Sequence, residues 1–320
     1  MQPHRKHPCA PIAVFAFNRA EHLRRTLDAL SANELATESD LTVFCDGPRN
    51  KEEESQTNAV RETARSVSGF KSLSIIAQDT NQGLAQSIIA GVSRIAEQHG
   101  KVIVVEDDLA TSKYFLRYMN DGLDLYADNP RVASIHGWCF PHSVKDAPET
   151  FFLRGADCWG WGTWKRAWDV FEPDAGKLLR LLEQRKLLRT FDLEGAYDYV
   201  DMLRGYMQGK NNSWAIRWHA STFLADMYTL YPGRSLVQNF GHDGSGTHCG
   251  EDHSFDVTPT DAPVAVVGQP VAGNQLMRRA MKAFPTGGPY RLFRRNLRKK
   301  RKHLVKRIKQ WLSPKSLEDK

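Results

Sequence analysis

Four short apolar runs alternate with amphipathic segments in the first third of the chain, and this alternation constrains the fold most strongly. In the amphipathic segment between the third and fourth runs, Leu84, Ile88 and Val92 mark one face of a helix that Gly100 would end. Repeated strand–helix units predict an α/β fold of the Rossmann-like type, a mostly parallel sheet flanked by helices. The runs are PIAVFAF at 11–17, LTVFC at 41–45, LSIIA at 73–77 and VIVV at 102–105.

The composition is that of a globular protein of the reducing cytosol. The chain has 320 residues, 41% of them hydrophobic and 10% aromatic, enough for one large core or two smaller ones. Its uncharged apolar stretches reach about seven residues, against ~20 for a membrane-spanning helix, and the N-terminus lacks a signal-peptide core. Five widely spaced cysteines without a CxxC pair argue against a disulfide framework or a four-thiolate zinc site.

Basic residues concentrate in a tail predicted at 284–320. Eleven Lys or Arg and no acid lie between Arg291 and Lys309, so with a net charge of +7 the rest of the chain is mildly acidic. We expect residues 291–312 to form an amphipathic helix on an anionic membrane surface, which would make the protein cytoplasmic and peripheral at the inner face of the cell membrane. A solvated or nucleic-acid-binding tail is the alternative. The apolar stripe of the helix would comprise Phe293, Leu297, Leu304, Ile308 and Trp311.

Polar residues follow each of the four predicted strands. Ligands of parallel sheets bind beyond the carboxyl ends of the strands, so this rim predicts a nucleotide site. The chain contains neither GxGxxG nor GxxxxGK[ST], so phosphates would be held through a carboxylate-bound divalent cation. The rim consists of Asn18, Arg19, Asp46, Gly47, Asp79, Asn81, Gly83, Glu106, Asp107 and Asp108.

The last three of these residues form an acidic triplet in KVIVVEDDLATS, residues 101–112. Like charges held this close repel one another, and such a cluster is typical of a site for a cation such as Mn²⁺ or Mg²⁺. Side chains alternate along an extended chain, so we expect Glu106 and Asp108 on one side and Asp107 on the other. The alternative is that the acids begin a helix near Ser112.

Two stretches carry a resemblance to a known family. PIAVFAFNRAEHLRRTLDAL and VIVVEDDLATSKYFLRYMNDGLDLYADNPRVASIHGW, with Asp46 between them, resemble GT-A glycosyltransferases over roughly residues 11–250. More narrowly they resemble the N-acetylglucosaminyltransferase I family, which has an EDD triplet, and related bacterial sugar transferases. The resemblance implies a nucleotide-sugar half at 1–135 and an acceptor half at 136–270. By it, Arg19 and Asp46 contact the nucleotide, Glu106 and Asp107 contact ribose and sugar hydroxyls, and Asp108 binds the metal. From their positions just past the strand ends, we add Asn18, Asn81 and Gly83 to the predicted donor site.

Four tryptophans crowd the segment FFLRGADCWGWGTWKRAWDVFEP. Indole rings stack on sugar faces, and Trp159 and Trp161 stand beside glycines that let a ligand approach, so we predict these two as acceptor-binding residues. Trp161, Trp164 and Trp168 also have helical spacing, which favours core packing for Trp164 and Trp168.

A late glycine-rich loop carries several histidines. Many GT-A enzymes complete the metal shell with one histidine from such a loop, and by position the resemblance implies His248. Two alternatives remain open: solvated histidines without a role, and a zinc site, for which the set has no standard spacing. That zinc set would be His242, His248, Cys249 and His253.

An inverting transferase also needs a carboxylate base for the acceptor hydroxyl. The similar family supplies it before a tryptophan, but here Asn211, Asn212 and Ser213 precede Trp214. We predict Asp157 as the base, because it lies beside the tryptophan segment. The alternative role for Asp157 is that of a loop acid that caps the next helix. The alternatives are Asp226, a shifted register, or a retaining reaction that needs no such base.

The function predicted from these residues is that of a metal-dependent hexosyl- or N-acetylhexosaminyltransferase. The donor would be a UDP-linked sugar and the acceptor a saccharide or a lipid-linked molecule, in bacterial surface polysaccharide synthesis. No nucleic-acid partner is expected. The alternatives are a nucleotidyltransferase and a non-catalytic nucleic-acid-binding protein; for the latter the chain has no RRM, KH or zinc-finger signature.

Overall fold

The computed structural model describes residues 7–244 and 253–284. The predicted tail at 284–320 therefore lies outside the described residues except for Phe284, as do His248 and Cys249. No helix in the described ranges is both long and apolar enough to cross a membrane.

The strands begin where the apolar runs predicted them and continue through the second half of the chain. They are β1 (Ile12–Ala16), β2 (Asp40–Cys45), β3 (Ser72–Ala77), β4 (Lys101–Glu106), β5 (Leu109–Thr111), β6 (Val132–His136), β7 (Thr150–Arg154), β8 (Trp161–Trp164), β9 (Tyr228–Pro232) and β10 (Val237–Asn239).

Helices separate the strands of the first half and form a separate group after β8. They are α1 (Ala20–Ser31), α2 (Glu54–Ser66), α3 (Leu84–His99), α4 (Phe115–Leu125), α5 (Lys165–Trp168), α6 (Ala175–Gln184), α7 (Leu188–Phe191), α8 (Tyr199–Met207), α9 (Trp214–Leu224) and α10 (Gln275–Ala283).

Eight strands form one sheet in the order β3-β2-β1-β4-β8-β6-β9-β7. β1 to β4 are parallel, as predicted, and β6 is parallel to β9. β8 runs antiparallel between β4 and β6, β7 is antiparallel to β9, and β5 and β10 form a separate antiparallel pair. The predicted α/β class with a mostly parallel sheet is confirmed.

Helices cover both faces of this sheet. Trp161 and Trp164 of β8 are an odd number of positions apart and project to opposite faces. Trp161 packs on Trp214 and Trp218 of α9, whereas the Trp164 indole donates to the Leu123 carbonyl of α4, 3.0 Å away. The core runs through β1, β2, β4 and β6 to β9, so the predicted segments 1–135 and 136–270 share it. Helices α6 to α9 enclose a second, smaller apolar cluster.

Candidate active site

The chain reverses its order across the sheet between β1 and β4. β1 is followed by β2 and β3 on one side, and β4 then lies on the other side of β1, paired so that Phe15 is opposite Glu106. Such a switch in strand order opens a crevice at the carboxyl ends of the two strands, where ligands of open α/β sheets bind. Arg19 follows β1 and the acidic triplet ends β4, so both lie at this crevice.

Arg19 pairs with two of the three acids. Its Nη2 lies 2.5 Å from Oδ1 of Asp107 and 2.7 Å from Oδ2 of Asp108. Both aspartates thus face the same guanidinium, and the predicted separation of their side chains was wrong. The reason is that β4 ends at Glu106 and the chain turns at the aspartates, so strand alternation no longer applies. The alternative that the acids begin a helix was also wrong, because strand β5 follows them.

The triplet differs in how its members are held. Asp107 is buried, and its backbone carbonyl accepts from Thr26 Oγ1 at 2.8 Å; burial raises its pKa to about 6, against the opposing charge of Arg19. The side-chain carboxylate of Glu106 accepts no hydrogen bond from the residues that the structure describes. Burial raises the pKa of Glu106 to about 8, and the charges of Asp108 and Asp107 add to the effect. Glu106 therefore has free acceptor capacity for a hydroxyl or a cation.

Asp46 organises a loop. Its Oδ1 accepts from the backbone N–H groups of Gly47 and Gln82, both at 2.8 Å, and its Oδ2 from Asn81 Nδ2 at 3.0 Å and the Gly83 N–H at 2.9 Å. A carboxylate has about four acceptor positions, and these donors fill them. The geometry therefore does not favour the predicted direct contact of Asp46 with a nucleotide; Asp46 instead ties the end of β2 to the loop before α3.

The remaining donor-site predictions lie on the same rim. Asn18 lies two residues after the end of β1, and its Nδ2 donates to Oε1 of Gln56 at 3.4 Å. Gly83 adopts φ 77°, in the left-handed region that favours glycine, and directly precedes α3. Their contacts with a donor stay predictions.

A late loop closes over Asp108. The N–H of Phe240 donates to the Asp108 carbonyl at 3.0 Å, and a Cβ on Gly241 would stand 2.1 Å from the Asp108 carboxylate, so a larger residue there would displace the Asp108 side chain. β10 positions this loop by pairing with β5. The first described range ends at Gly244, and the predicted ligand His248 lies beyond it.

The two described members of the zinc alternative have other partners. His242 stacks on Phe255 at 5.3 Å between ring centroids, and His253 Nδ1 lies 2.9 Å from Asp256. Within the two described ranges, no group of three or more His, Cys, Asp or Glu side chains is placed to hold a metal ion. The donor set nevertheless fits Mg²⁺ or Mn²⁺ by chemical type, because phosphate-bound Mg²⁺ commonly takes only one or two carboxylates, and Glu106 and Asp108 offer hard oxygen ligands.

Asp157 lies on the segment that crosses from β7 to β8. Its Oδ1 accepts from the Cys158 N–H at 2.9 Å, and its Oδ2 lies 3.9 Å from Nε2 of His136. Burial raises the pKa of the Cys158 thiol, with contributions from the charges of Asp157 and Glu106. Asp157 and the triplet therefore border one region. The alternative base Asp226 precedes the amino end of β9 at the opposite sheet edge, where it pairs with Arg154 at 3.3 Å.

The two predicted acceptor tryptophans have different environments. Trp161 is fully buried, so the prediction that it binds an acceptor was wrong: β8 is covered on both faces, and both of its tryptophans are core residues. Trp159 is only partly buried and packs edge-on against Trp138 at 4.8 Å and Phe255 at 5.5 Å. The sequence reasoning did not single out Trp138 or Phe255; the HGW that ends the second quoted stretch was the available signal for Trp138.

Comparisons with known proteins give only distant structural likenesses. No family model and no curated protein matches the chain. The structure of S. aureus TarS shares 13% identity at a TM-score of 0.37, covering 69% of this chain and 36% of that one. The mannosyltransferase PcManGT from Pyrobaculum calidifontis, in complex with GDP-Man and Mn²⁺, shares 12% at 0.34, covering 68% and 73%. The chain thus spans about a third of TarS, and likenesses at these scores carry no functional argument.

Proposed function

We propose that the protein is a glycosyltransferase that binds a nucleotide-sugar donor in the crevice between β1 and β4. The observation that carries the proposal is the position of the acidic triplet and Arg19 on the two sides of the switch in strand order. This is the place where open α/β sheets bind nucleotides, and the residues there suit a diphosphate and a cation. The sequence resemblance to GT-A glycosyltransferases supports the same reading.

Each residue of the crevice has a separate proposed role in binding the donor. Asp108 is the predicted metal ligand, with His248 as a second one, and Glu106 accepts a hydroxyl of the sugar or ribose. Arg19 adds a fixed positive charge beside the diphosphate. A bound Mn²⁺ or Mg²⁺ would neutralise charge on the departing nucleoside diphosphate. We propose a UDP-linked hexose or N-acetylhexosamine as the donor, as the resemblance implies.

Asp157 is the proposed general base of an inverting reaction. The acceptor oxygen attacks the anomeric carbon, the bond from that carbon to the diphosphate oxygen breaks, and the acceptor proton passes to the Asp157 carboxylate. The side chain of Asp157 is 31% exposed, so an acceptor hydroxyl can reach it.

Trp159, supported from below by the buried Trp138 and flanked by Phe255, is the proposed platform for a saccharide or lipid-linked acceptor. Phe284, at the end of the described chain, packs on Trp138 at 6.2 Å and Phe255 at 5.6 Å. The chain therefore leaves the described range beside this platform. A tail at 291–312 bound to an anionic membrane would bring the platform towards that membrane, as synthesis of a bacterial surface polysaccharide would require.

The proposal is tested with the purified full chain and a panel of UDP- and GDP-sugars, by thermal unfolding and by product analysis. At about 100 times its Kd, the right donor in Mn²⁺ should raise the Tm by about 5 °C, and EDTA should abolish the shift. Asp108→Asn should lose the shift. Asp128→Asn, an exposed acid before the amino end of β6, should keep it. Equal shifts in EDTA would contradict metal dependence, and release of pyrophosphate instead of nucleoside diphosphate would indicate a nucleotidyltransferase.

A further inference from the structure

His136, the last residue of β6, is fully buried with neither ring nitrogen hydrogen-bonded within the described ranges. Burying a polar group without a partner destabilises a fold. An apolar residue at this position would avoid that cost. Violations of this kind concentrate at functional sites, so the surroundings of His136 indicate what it does.

The imidazole faces Asp157. Its Nε2 lies 3.9 Å from Oδ2, the carboxylate oxygen that the Cys158 N–H does not hold. On another side the ring meets Tyr231 of β9 edge-on, with 5.0 Å between ring centroids. The ring is therefore fixed by packing, and Nε2 points towards one oxygen of the proposed base.

Burial lowers the pKa of His136 to about 4, with the charge of Asp157 acting in the opposite direction. The ring is thus neutral near pH 7, with one nitrogen as donor and the other as acceptor. Five other titratable groups that Asp157 influences also have pKa values shifted by burial. These groups are Cys158 on the same segment, Tyr197 and Tyr199 of the α8 region, His219 of α9 and Tyr231 of β9.

We propose that His136 is a positioning residue for the general base, donating from Nε2 to Oδ2 of Asp157 when the acceptor is bound. The inference rests on the proposed function of Asp157. At 3.9 Å the two atoms are about 1 Å beyond hydrogen-bond distance, and such catalytic contacts are often long without substrate and tighten in the reactive complex. With Oδ1 held by the Cys158 N–H and Oδ2 by His136, the carboxylate would have one orientation towards the acceptor hydroxyl.

If His136 only supported the fold, His136→Phe would lower the Tm and leave kcat unchanged. A positioning role predicts the opposite result. The variant removes the unpartnered nitrogens but keeps an aromatic ring beside Tyr231, so its Tm should rise while kcat falls about tenfold to a hundredfold and the donor KM is unchanged. Loss of the hydrogen bond to the ionised base should move the acidic limb of the kcat/KM profile to higher pH. His136→Gln, which keeps a donor at the reach of Nε2, should recover most of kcat.

His142→Phe is the matched control. His142 packs on Phe140 in a similar way, at 5.7 Å, but its Nε2 lies 3.1 Å from the Gly233 carbonyl. That variant should lose stability and keep kcat, the reverse of His136→Phe.

The assay uses the nucleotide sugar of the panel that gives the largest thermal shift, with water as acceptor. Wild-type kcat and pH profile in His136→Phe, or in the donor-free His136→Leu should the Phe variant not fold, would overturn the inference. An active Asp157→Asn variant would instead overturn the proposed base. An inactive Asp157→Asn beside a fully active His136→Phe would retain the base and reject His136.

Discussion

The acids at the end of β4 and the acid beside His136 border the same region of the site but are held in contrasting ways. Asp107 and Asp108 share a guanidinium within 2.7 Å, whereas the imidazole opposite Asp157 is neutral and 3.9 Å away. At Asp107 and Asp108, negative charge is paired with the positive charge of Arg19 where a charged donor would bind. It is left unmatched where, in the proposed reaction, a proton would arrive. The contrast indicates that the first group binds and the second performs chemistry.

Substitution within the acidic triplet should give the largest effect. Asp108→Asn should reduce turnover roughly 10³-fold, because it removes a metal ligand worth several kcal/mol in the transition state, with little change in stability. Asp107→Asn should lower the free energy of unfolding by about 1–3 kcal/mol, since Asp107 is buried and paired with Arg19. Steady-state rates measure the loss of turnover in both variants, and urea unfolding measures their loss of stability. Equal losses of turnover without a loss of stability would show that both acids bind the donor.

Substitution of the base should reduce turnover less and spare donor binding. Asp157→Asn should lower kcat roughly 10²-fold, the usual contribution of a general base, while the donor-induced Tm shift stays at the wild-type value. Calorimetric titration of donor in Mn²⁺ checks binding, and nucleoside diphosphate release checks turnover. A loss of donor affinity as large as that in Asp108→Asn would remove the distinction between the two groups.

The first group could be predicted from the sequence because its geometry follows from strand ends. Parallel strands end at one edge, so Arg19 and the acids had to meet once β1 and β4 were neighbours. What followed the strand could not be predicted, since only the turn after Glu106 decides that both aspartates face Arg19. The hydrogen bonds that occupy the Asp46 carboxylate could not be predicted either, because their donors lie in a loop 35–37 residues further along the chain.

The second group was found only in part. Asp157 was chosen for its position beside the tryptophans, but His136 was not noticed, although a histidine ends the apolar run VASIH. Trp161 was assigned to the site because it stands beside glycines that would let a ligand approach. Burial on both faces of β8 depends on α4 and α9, which come from distant parts of the sequence.

The smallest effect separates the two groups by pH. His136 has a pKa of about 4 in the folded protein, against roughly 6.5 unfolded, so as the pH falls below about 6.5 the unfolded chain takes up the proton first. Wild type should therefore lose about 2 kcal/mol relative to His136→Phe between about pH 7.5 and about pH 5. Above about pH 7.5 the difference should be constant, because the ring is neutral in both states.

Urea unfolding of the two proteins across this range measures that difference. Glu106 and Asp107 act in the opposite direction, since their raised pKa values favour the folded protein as the pH falls, but both proteins contain them and they cancel. A pH-independent difference would mean that the imidazole is hydrated or paired when folded. His136 would then have a partner, as Asp107 and Asp108 have in Arg19. The proposed contrast between these aspartates and Asp157 would be wrong.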